Sequence, residues 1–355
     1  MRNKFETVVG QKISDREWTL ACLPTKNHGY GLGKPEDTCA SAFAANVEET
    51  LKNIRKKLPG TDNDMSMIHA PTDEFHAHDF VNRETMLFVT AAREKKQIVT
   101  NAASELDELP LLIAHDNKEN KKKTQHVYSE FINRSRAKYM SLLIKDHGTP
   151  IAQANHLSND GSFAGAWLHS TPKDSYSTMS NSEFTIAVKL RLGIPFNNLV
   201  PKCCCRNQTT ICERGRHFFS CNEFKNLLLM RHDAIQHGFK ELGAYGGINV
   251  IDKGLDITES DGRKGDLLFK GLGRQGRDLV VDISIGDPSA QSYLHNSAYI
   301  SKYVADLLEA NKLRKYAAAY REAGVDFMPL TCEMLGATSD LFIKFFKKLV
   351  ALLCC

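Results

Sequence analysis

No apolar run in these 355 residues approaches the roughly 18 that a membrane span needs, and no basic-then-apolar leader opens the chain. It begins MRNKFETVVGQKISDREW, a polar start, so a nuclear or cytoplasmic protein without a membrane partner is expected. Charge of one sign is also scarce: 46 Lys and Arg face 42 Asp and Glu, a net of +4. A hydrophobic fraction of 42% with 25% charged residues is ordinary globular composition and excludes a wholly disordered chain. The length predicts two or three domains. A nucleotide-binding glycine loop is missing too. Gly29-Tyr-Gly-Leu-Gly33 mimics one, but no apolar strand precedes it and the later glycine is absent, so it reads as a turn before a helix at 38–52.

What is present is unevenly distributed. Residues 1–190 carry 24 basic and 24 acidic side chains, whereas 191–355 carry 22 and 18, so the whole excess lies in the second half. Lys202 to His232 holds Lys202, Arg206, Arg214, Arg216, Lys225 and Arg231 against only Glu213 and Glu223. Such a local cationic stretch suits a phosphate backbone. Five of the ten cysteines (Cys203, Cys204, Cys205, Cys212, Cys221) fall in the same region, beside His217. Thiols kept reduced favour a metal over disulfides.

Hydrophobic periodicity predicts helices over Ala42–Leu58, Arg83–Leu106 and Phe131–Ile144, with Asn117–Lys123 (NKENKKK) a solvated linker. Residues 147–182 read as mostly loop, followed by a short helix, Ser182–Leu192, stopped by Gly193. Beyond the cysteines the pattern becomes helix (Phe224–Leu242), three short strands (Ile248–Ile251, Asp266–Phe269, Leu279–Ile285), helix (Ser297–Ala323), strand (Val325–Cys332) and helix (Ser339–Leu353). The expected fold class is α + α/β: a helical N-terminal half and a small α/β domain at the C-terminus.

Three groups of residues carry chemistry. Zinc takes four soft or borderline ligands in a tetrahedron, and Cys205, His217 and Cys221 with Cys203 or Cys212 would supply them, closing a structural site. Asp266 opens the run GDLLFKG, and Asp282 sits inside DLVVDISI. A carboxylate inside an apolar strand is expensive unless paired, and two on neighbouring strands can share Mg²⁺, which favours oxygen ligands and polarises a phosphodiester. Finally, Glu309, Lys312 and Lys315 recur every three residues along one helix, with Tyr316 adjacent, so a lysine can be delivered to a phosphate there. His232, in Arg231-His232-Asp233, reads as a satisfied core or interface histidine, and Arg231 as a phosphate contact.

The segments LPTKNHGYGLGKPEDTCASAFAAN, GAWLHSTP with SNSEFTIAVKLRLGIP, CCCRNQTTICERGRHFFSC, LLLMRHDAI, GDLLFKG, DLVVDISI and EANKLRKY, in this order, resemble the region downstream of the reverse-transcriptase palm in non-LTR retrotransposons bearing a C-terminal restriction-like endonuclease. The resemblance implies a thumb- and linker-derived helical region over 1–146, a linker with a short helix over 147–200, a CCHC zinc knuckle over 201–223 and an endonuclease of the PD-(D/E)XK type over 224–355. It implies knuckle ligands Cys203 or Cys204, Cys205, His217 and Cys221, with structural zinc. It makes Asp266 and Asp282 the ligands of a catalytic Mg²⁺. Lys312, Lys315 and Tyr316 match the family's Lys-x-x-Lys-Tyr segment. Arg206, Arg214, Arg216 and Arg231 are the expected backbone contacts, and DNA and element RNA the expected partners. Such a nuclease nicks one strand so that the freed 3′ hydroxyl primes reverse transcription.

Three departures stand out. Gly265 replaces the proline that many members carry, and Ser284 occupies the usual lysine position of the Asp-x-Lys triplet. No Tyr-x-Asp-Asp polymerase motif is present. The expectation is therefore a truncated or domesticated fragment of an element protein that cleaves DNA without synthesising it. The rival is a zinc-dependent nucleic-acid-binding remnant whose nuclease has lapsed.

Overall fold

The structure, a computed structural model, describes residues 1–34, 38–46, 49, 83–108, 111, 124–161, 163–172, 178–197, 199–219, 221–252 and 265–353. Its helices are α1 (Arg2–Val9), α2 (Asp15–Cys22), α3 (Arg83–Glu105), α4 (Thr124–His147), α5 (Pro150–Ser158), α6 (Asn181–Leu192), α7 (Lys225–Tyr245), α8 (Gln291–Ser297), α9 (Tyr303–Glu322) and α10 (Asp340–Leu352). Four strands, β1 (Val250–Asp252), β2 (Leu267–Phe269), β3 (Leu279–Gly286) and β4 (Asp326–Glu333), form one sheet. Residues 38–46 are also helical. No helix among the described residues is long and apolar enough to cross a membrane. The chain divides into two compact units: Trp18–Leu143, and Met1–Glu17 together with Ile144–Cys355.

The described residues of the unit Trp18–Leu143 are largely helical. Tyr128, Phe131 and Ile132 of α4, spaced to share a face, bury against Val99, Ala102 and Ala103 of α3 and against Ala44 and Ala45. Small residues facing large ones let the helices interdigitate, and burying a Phe131-sized side chain contributes roughly 1.5–3 kcal/mol. The expected helix Ala42–Leu58 is described only at 42–46 and 49, and Asn117–Lys123 lies outside the described residues. Gly31 and Gly33 take left-handed φ values of 67° and 63°. Their amides bond to the carbonyls of Leu23 and Cys22 at 2.8 and 3.2 Å. Those N–H groups are spent inside the turn and do not point outward as a phosphate cradle would require.

In the other unit, α1 packs on α6, tied by Thr185 Oγ1 donating to Val8 O (3.0 Å) and by Lys189 Nζ on Gln11 Oε1 (2.9 Å). The first seventeen residues thus group with Ile144–Cys355. Within the expected loop 147–182 lies α5, because Thr149 caps it by accepting from Ala152 N (3.2 Å) and Pro150 fits its first turn. Ser180 and Glu183 form a capping box on α6, and Gly193, at φ 69°, ends it.

The sheet runs β1-β2-β3-β4, antiparallel except for the parallel pair β3–β4, and β4 is reached from β3 through α8 and α9. The sequence order of helix, three strands, helix, strand and helix is recovered, with one addition. The predicted helix Ser297–Ala323 begins only at Tyr303, after Lys302 at φ 59°, and α8 precedes it as a separate helix that the sequence reading did not include. Odd-numbered β3 residues (Leu279, Val281, Ile283) join Leu267, Phe269 and Leu330 in a core capped by Phe239 of α7 and by Phe345 and Leu349 of α10. On the opposite face Leu268 and Val280 meet Tyr316 and Tyr320 of α9. Gly286 is required where α9 crosses the end of β3, since a Cβ there would lie 2.3 Å from Val304 Cγ1.

Candidate functional site

Strand alternation sets the site. Asp282 shares the α9 face of β3 with Val280, while its odd-numbered neighbours fill the other core. The antiparallel register pairs Leu267 with Val281, so one step further Asp266 comes opposite Asp282. Both carboxylates line one cleft of about 280 Å³, together with His232, Gly265, Ile283, Lys312, Tyr316, Tyr320 and Phe327.

Each carboxylate has a cation. Lys312 Nζ lies 2.6 Å from Asp282 Oδ2, and His232 Nε2 lies 3.1 Å from Asp266 Oδ2. Asp266 Oδ2 also accepts from the backbone N–H of Ile283 at 2.6 Å, and Gln236 Nε2 donates to the Asp266 carbonyl at 3.1 Å. Burial pushes the Asp282 carboxyl up from the ordinary carboxylate range; Lys312 opposes this, and the neighbouring Asp266 adds to it. The Asp266 hydrogen bond raises the His232 imidazole to about 9, with Asp233 contributing. Displaced titrations of this kind cluster at functional sites, although structural ion pairs produce them too.

Helical phase decides which α9 side chains arrive. Val304, Leu308, Lys312, Tyr316 and Tyr320 lie four apart, and the last three line the cleft. Lys315 is exposed on the outer surface, its Nζ 5.0 Å from the Tyr316 ring centroid. Glu309 accepts from Leu341 N (3.4 Å) at the start of α10. The stripe Glu309–Lys312–Lys315 read from the sequence therefore contributes one residue, Lys312, to the cleft. Tyr316 is buried and forms its wall.

Four residues, His232, Gln236, Gly265 and Tyr320, had no role at this site in the sequence reading. His232 is a member of the cleft and not a core histidine. It lies in phase with Gln236, Phe239 and Gly243, the inward face of α7. Two polar residues continuing an apolar stripe were the available signal. Tyr320 accepts the N–H of Gly265 on its hydroxyl at 3.2 Å and stacks on Phe327, with centroids 4.8 Å apart. Gly265 is held tightly: a Cβ there would lie 2.2 Å from Val280 Cγ1.

Next to this cleft in sequence is a compact loop whose cysteines and histidine could hold a metal. Its first arm is a hairpin in which Cys203 N donates to Thr209 O and Ile211 N to Pro201 O, both at 3.0 Å, turned at Gln208 with φ 44°. A turn at Gly215 (φ 62°) and the short helix Arg216–Phe219 bring in His217, and Cys221 follows. The ligand atoms of Cys203, Cys205, His217 and Cys221 all lie within 4.8 Å of one another. Cys203 Sγ and Cys221 Sγ are 3.7 Å apart, and Cys205 Sγ and His217 Nε2 are 3.5 Å apart. A tetrahedron with Zn–S and Zn–N bonds of about 2.3 and 2.1 Å has edges of roughly 3.8 and 3.6 Å. The four residues therefore fit zinc, and the fourth ligand is Cys203; Cys204 and Cys212 are exposed and outside the cluster. The Thr209 backbone N–H holds the Cys205 thiol down at about 6, toward the thiolate that zinc takes. Phe218 and Phe224, with ring centroids 5.2 Å apart, pack beneath the loop, and α7 starts one residue after Phe224.

The four arginines expected to contact nucleic acid differ. Arg206 is exposed. Arg214 is engaged by Gly193 O (3.0 Å) and Glu213 (3.3 Å). Arg231 is half-buried. Arg216 is 7% exposed, with Nη1 3.9 Å from Met334 Sδ, so it joins the loop to the end of the sheet and is not presented at the surface.

No known family model matches this chain, and no curated protein sequence does.

Proposed function

We propose that the unit containing the sheet is a divalent-cation-dependent DNA endonuclease. On this reading it is the restriction-like PD-(D/E)XK nuclease of a non-LTR retroelement protein, preceded by a zinc knuckle that grips nucleic acid. The observation that carries this reading is the meeting of Asp266, Asp282 and Lys312 in one cleft, with Lys312 2.6 Å from Asp282.

The chemistry asked of these residues is hydrolysis of a phosphodiester. Water attacks phosphorus, the P–O3′ bond breaks, and the strand ends as a 5′ phosphate and a 3′ hydroxyl able to prime synthesis. A bound cation would polarise the phosphate and lower the pKa of the attacking water. Asp266 and Asp282 would hold that cation, and two carboxylates alone favour a hard ion such as Mg²⁺. Lys312 replaces the lysine missing at Ser284: it comes from the facing helix and puts its positive charge where the transition-state phosphate becomes more negative. Tyr320 and Gln236 grip the backbone at Gly265 and Asp266 and so fix the first carboxylate.

Supercoiled plasmid tests the assignment. Wild type with a divalent cation should produce nicked circles, and Asp282→Asn should not, although both bind the plasmid. Binding without nicking by wild type would leave the zinc-dependent nucleic-acid-binding reading in place of the enzyme.

A further inference from the structure

Resting on the cleft reading above, we propose that His232 is a third ligand to the cation between Asp266 and Asp282, and that this nitrogen makes the cleft selective for Mn²⁺ over Mg²⁺. Three observations support it.

The first is separation. Adjacent ligands in an octahedron with bonds of about 2.1 Å lie roughly 3 Å apart. His232 Nε2 and Asp266 Oδ2 are 3.1 Å apart and need little movement to flank one ion.

The second is the support behind the ring. His232 Nδ1 is 3.3 Å from Asp233 Oδ1. A metal-binding histidine characteristically gives its other N–H to a carboxylate, which fixes the tautomer and makes the free nitrogen more basic. In the metal-free chain Nε2–H donates to Asp266, and a cation bound there would take the place of that proton on Nε2 while Nδ1–H stays on Asp233.

The third is the donor set. Oxygen-only sites suit Mg²⁺ and Ca²⁺, while imidazole suits the later transition metals, and Mn²⁺ is accepted by both kinds of donor. One nitrogen with two carboxylates in a cleft that leaves room for phosphate and water is a Mn²⁺ environment. The thiolate-rich cluster of Cys203, Cys205, His217 and Cys221 is the better fit for zinc.

The test is binding, measured without DNA. The zinc-loaded full chain is titrated with MnCl₂, following the free-ion electron paramagnetic resonance signal, and MgCl₂ is then used as competitor. The expected result is one Mn²⁺ site in the cleft, at least tenfold tighter for Mn²⁺ than for Mg²⁺. His232→Gln should weaken Mn²⁺ by about 10–100-fold while changing Mg²⁺ much less, and Asp233→Asn should weaken Mn²⁺ by about tenfold. Unchanged zinc content in each variant establishes that it folds. Equal affinity of wild type for the two ions, or a His232→Gln chain that keeps the preference, overturns the proposal. Those outcomes leave the nuclease reading standing if plasmid is still nicked in Mg²⁺. Conversely, selective Mn²⁺ binding without nicking overturns only the nuclease.

Discussion

Lys312 Nζ and Asp282 Oδ2 stand 2.6 Å apart, although they belong to different elements thirty residues apart in the chain. α9 delivers the lysine and β3 the carboxylate, and on the proposed nuclease reading this lysine would take the part of the one absent at Ser284. Lys312→Ala should lower the nicking rate by about 10²–10³-fold, the usual effect of removing one group that stabilises transition-state charge. Lys315→Ala, on the outer surface of the same helix, should stay within about twofold of wild type. Single-turnover nicking assays on the pair would decide between the two lysines. A larger loss at Lys315 would contradict the placement of α9.

Zinc content provides a second prediction. Purified protein should carry one zinc by elemental analysis. Cys203→Ser, Cys205→Ser and Cys221→Ser should each release it, whereas Cys204→Ser and Cys212→Ser should retain it. Loss of zinc should also lower the thermal midpoint, because Phe218 and Phe224 pack beneath the ligands at the start of α7.

The third concerns pH in the metal-free protein. His232 is raised to about 9 by Asp266, from an unfolded value near 6.5. A raised folded value means that the proton is held more tightly in the native state. Its contribution, on the order of 3 kcal/mol at most, is fully present below about pH 6.5 and is lost as pH rises through about 9. NMR titration of the imidazole should show this, and Asp266→Asn should bring the transition back to about 6.5 or below. A wild-type transition near 6.5 would mean that the pair is not formed.

Gly265 gives a prediction independent of any ligand. A methyl group at this position must displace Val280, so Gly265→Ala should cost about 1–3 kcal/mol in denaturant unfolding and should weaken the Tyr320 contact with the backbone. Gly265→Pro would also remove the N–H that Tyr320 accepts. Gly265 is therefore fitted to its own surroundings.

The C-terminal fold was largely legible because its signals are local. Apolar runs ended by glycines marked β2, β3 and β4, and hydrophobic periodicity marked α7, α9 and α10. The spacing of Cys205, His217 and Cys221 marked the metal loop. What the sequence hid depends on contacts between distant elements. His232 looked like a core residue because only the folded sheet shows that α7 overhangs Asp266. Lys312 and Lys315 looked equivalent because a spacing of three does not reveal which side of α9 faces the sheet. Arg216 read as a nucleic-acid backbone contact, yet it packs against Met334, more than a hundred residues away. α5 was missed although Thr149-Pro150 is a helix-start signal, because the polar residues around it favoured a loop. The attachment of α1 to α6 has no local signature at all.

The central claim is that Asp266 and Asp282 act together on one phosphodiester. Single-turnover nicking of supercoiled plasmid by Asp266→Asn, Asp282→Asn and the double variant, each with its zinc intact, tests it most directly. Groups acting as a unit are strongly non-additive. Each single variant should lose about 10³-fold or more, and the double variant should be no slower than the worse single. A single variant that nicks at the wild-type rate, or losses that multiply in the double, would contradict one shared site.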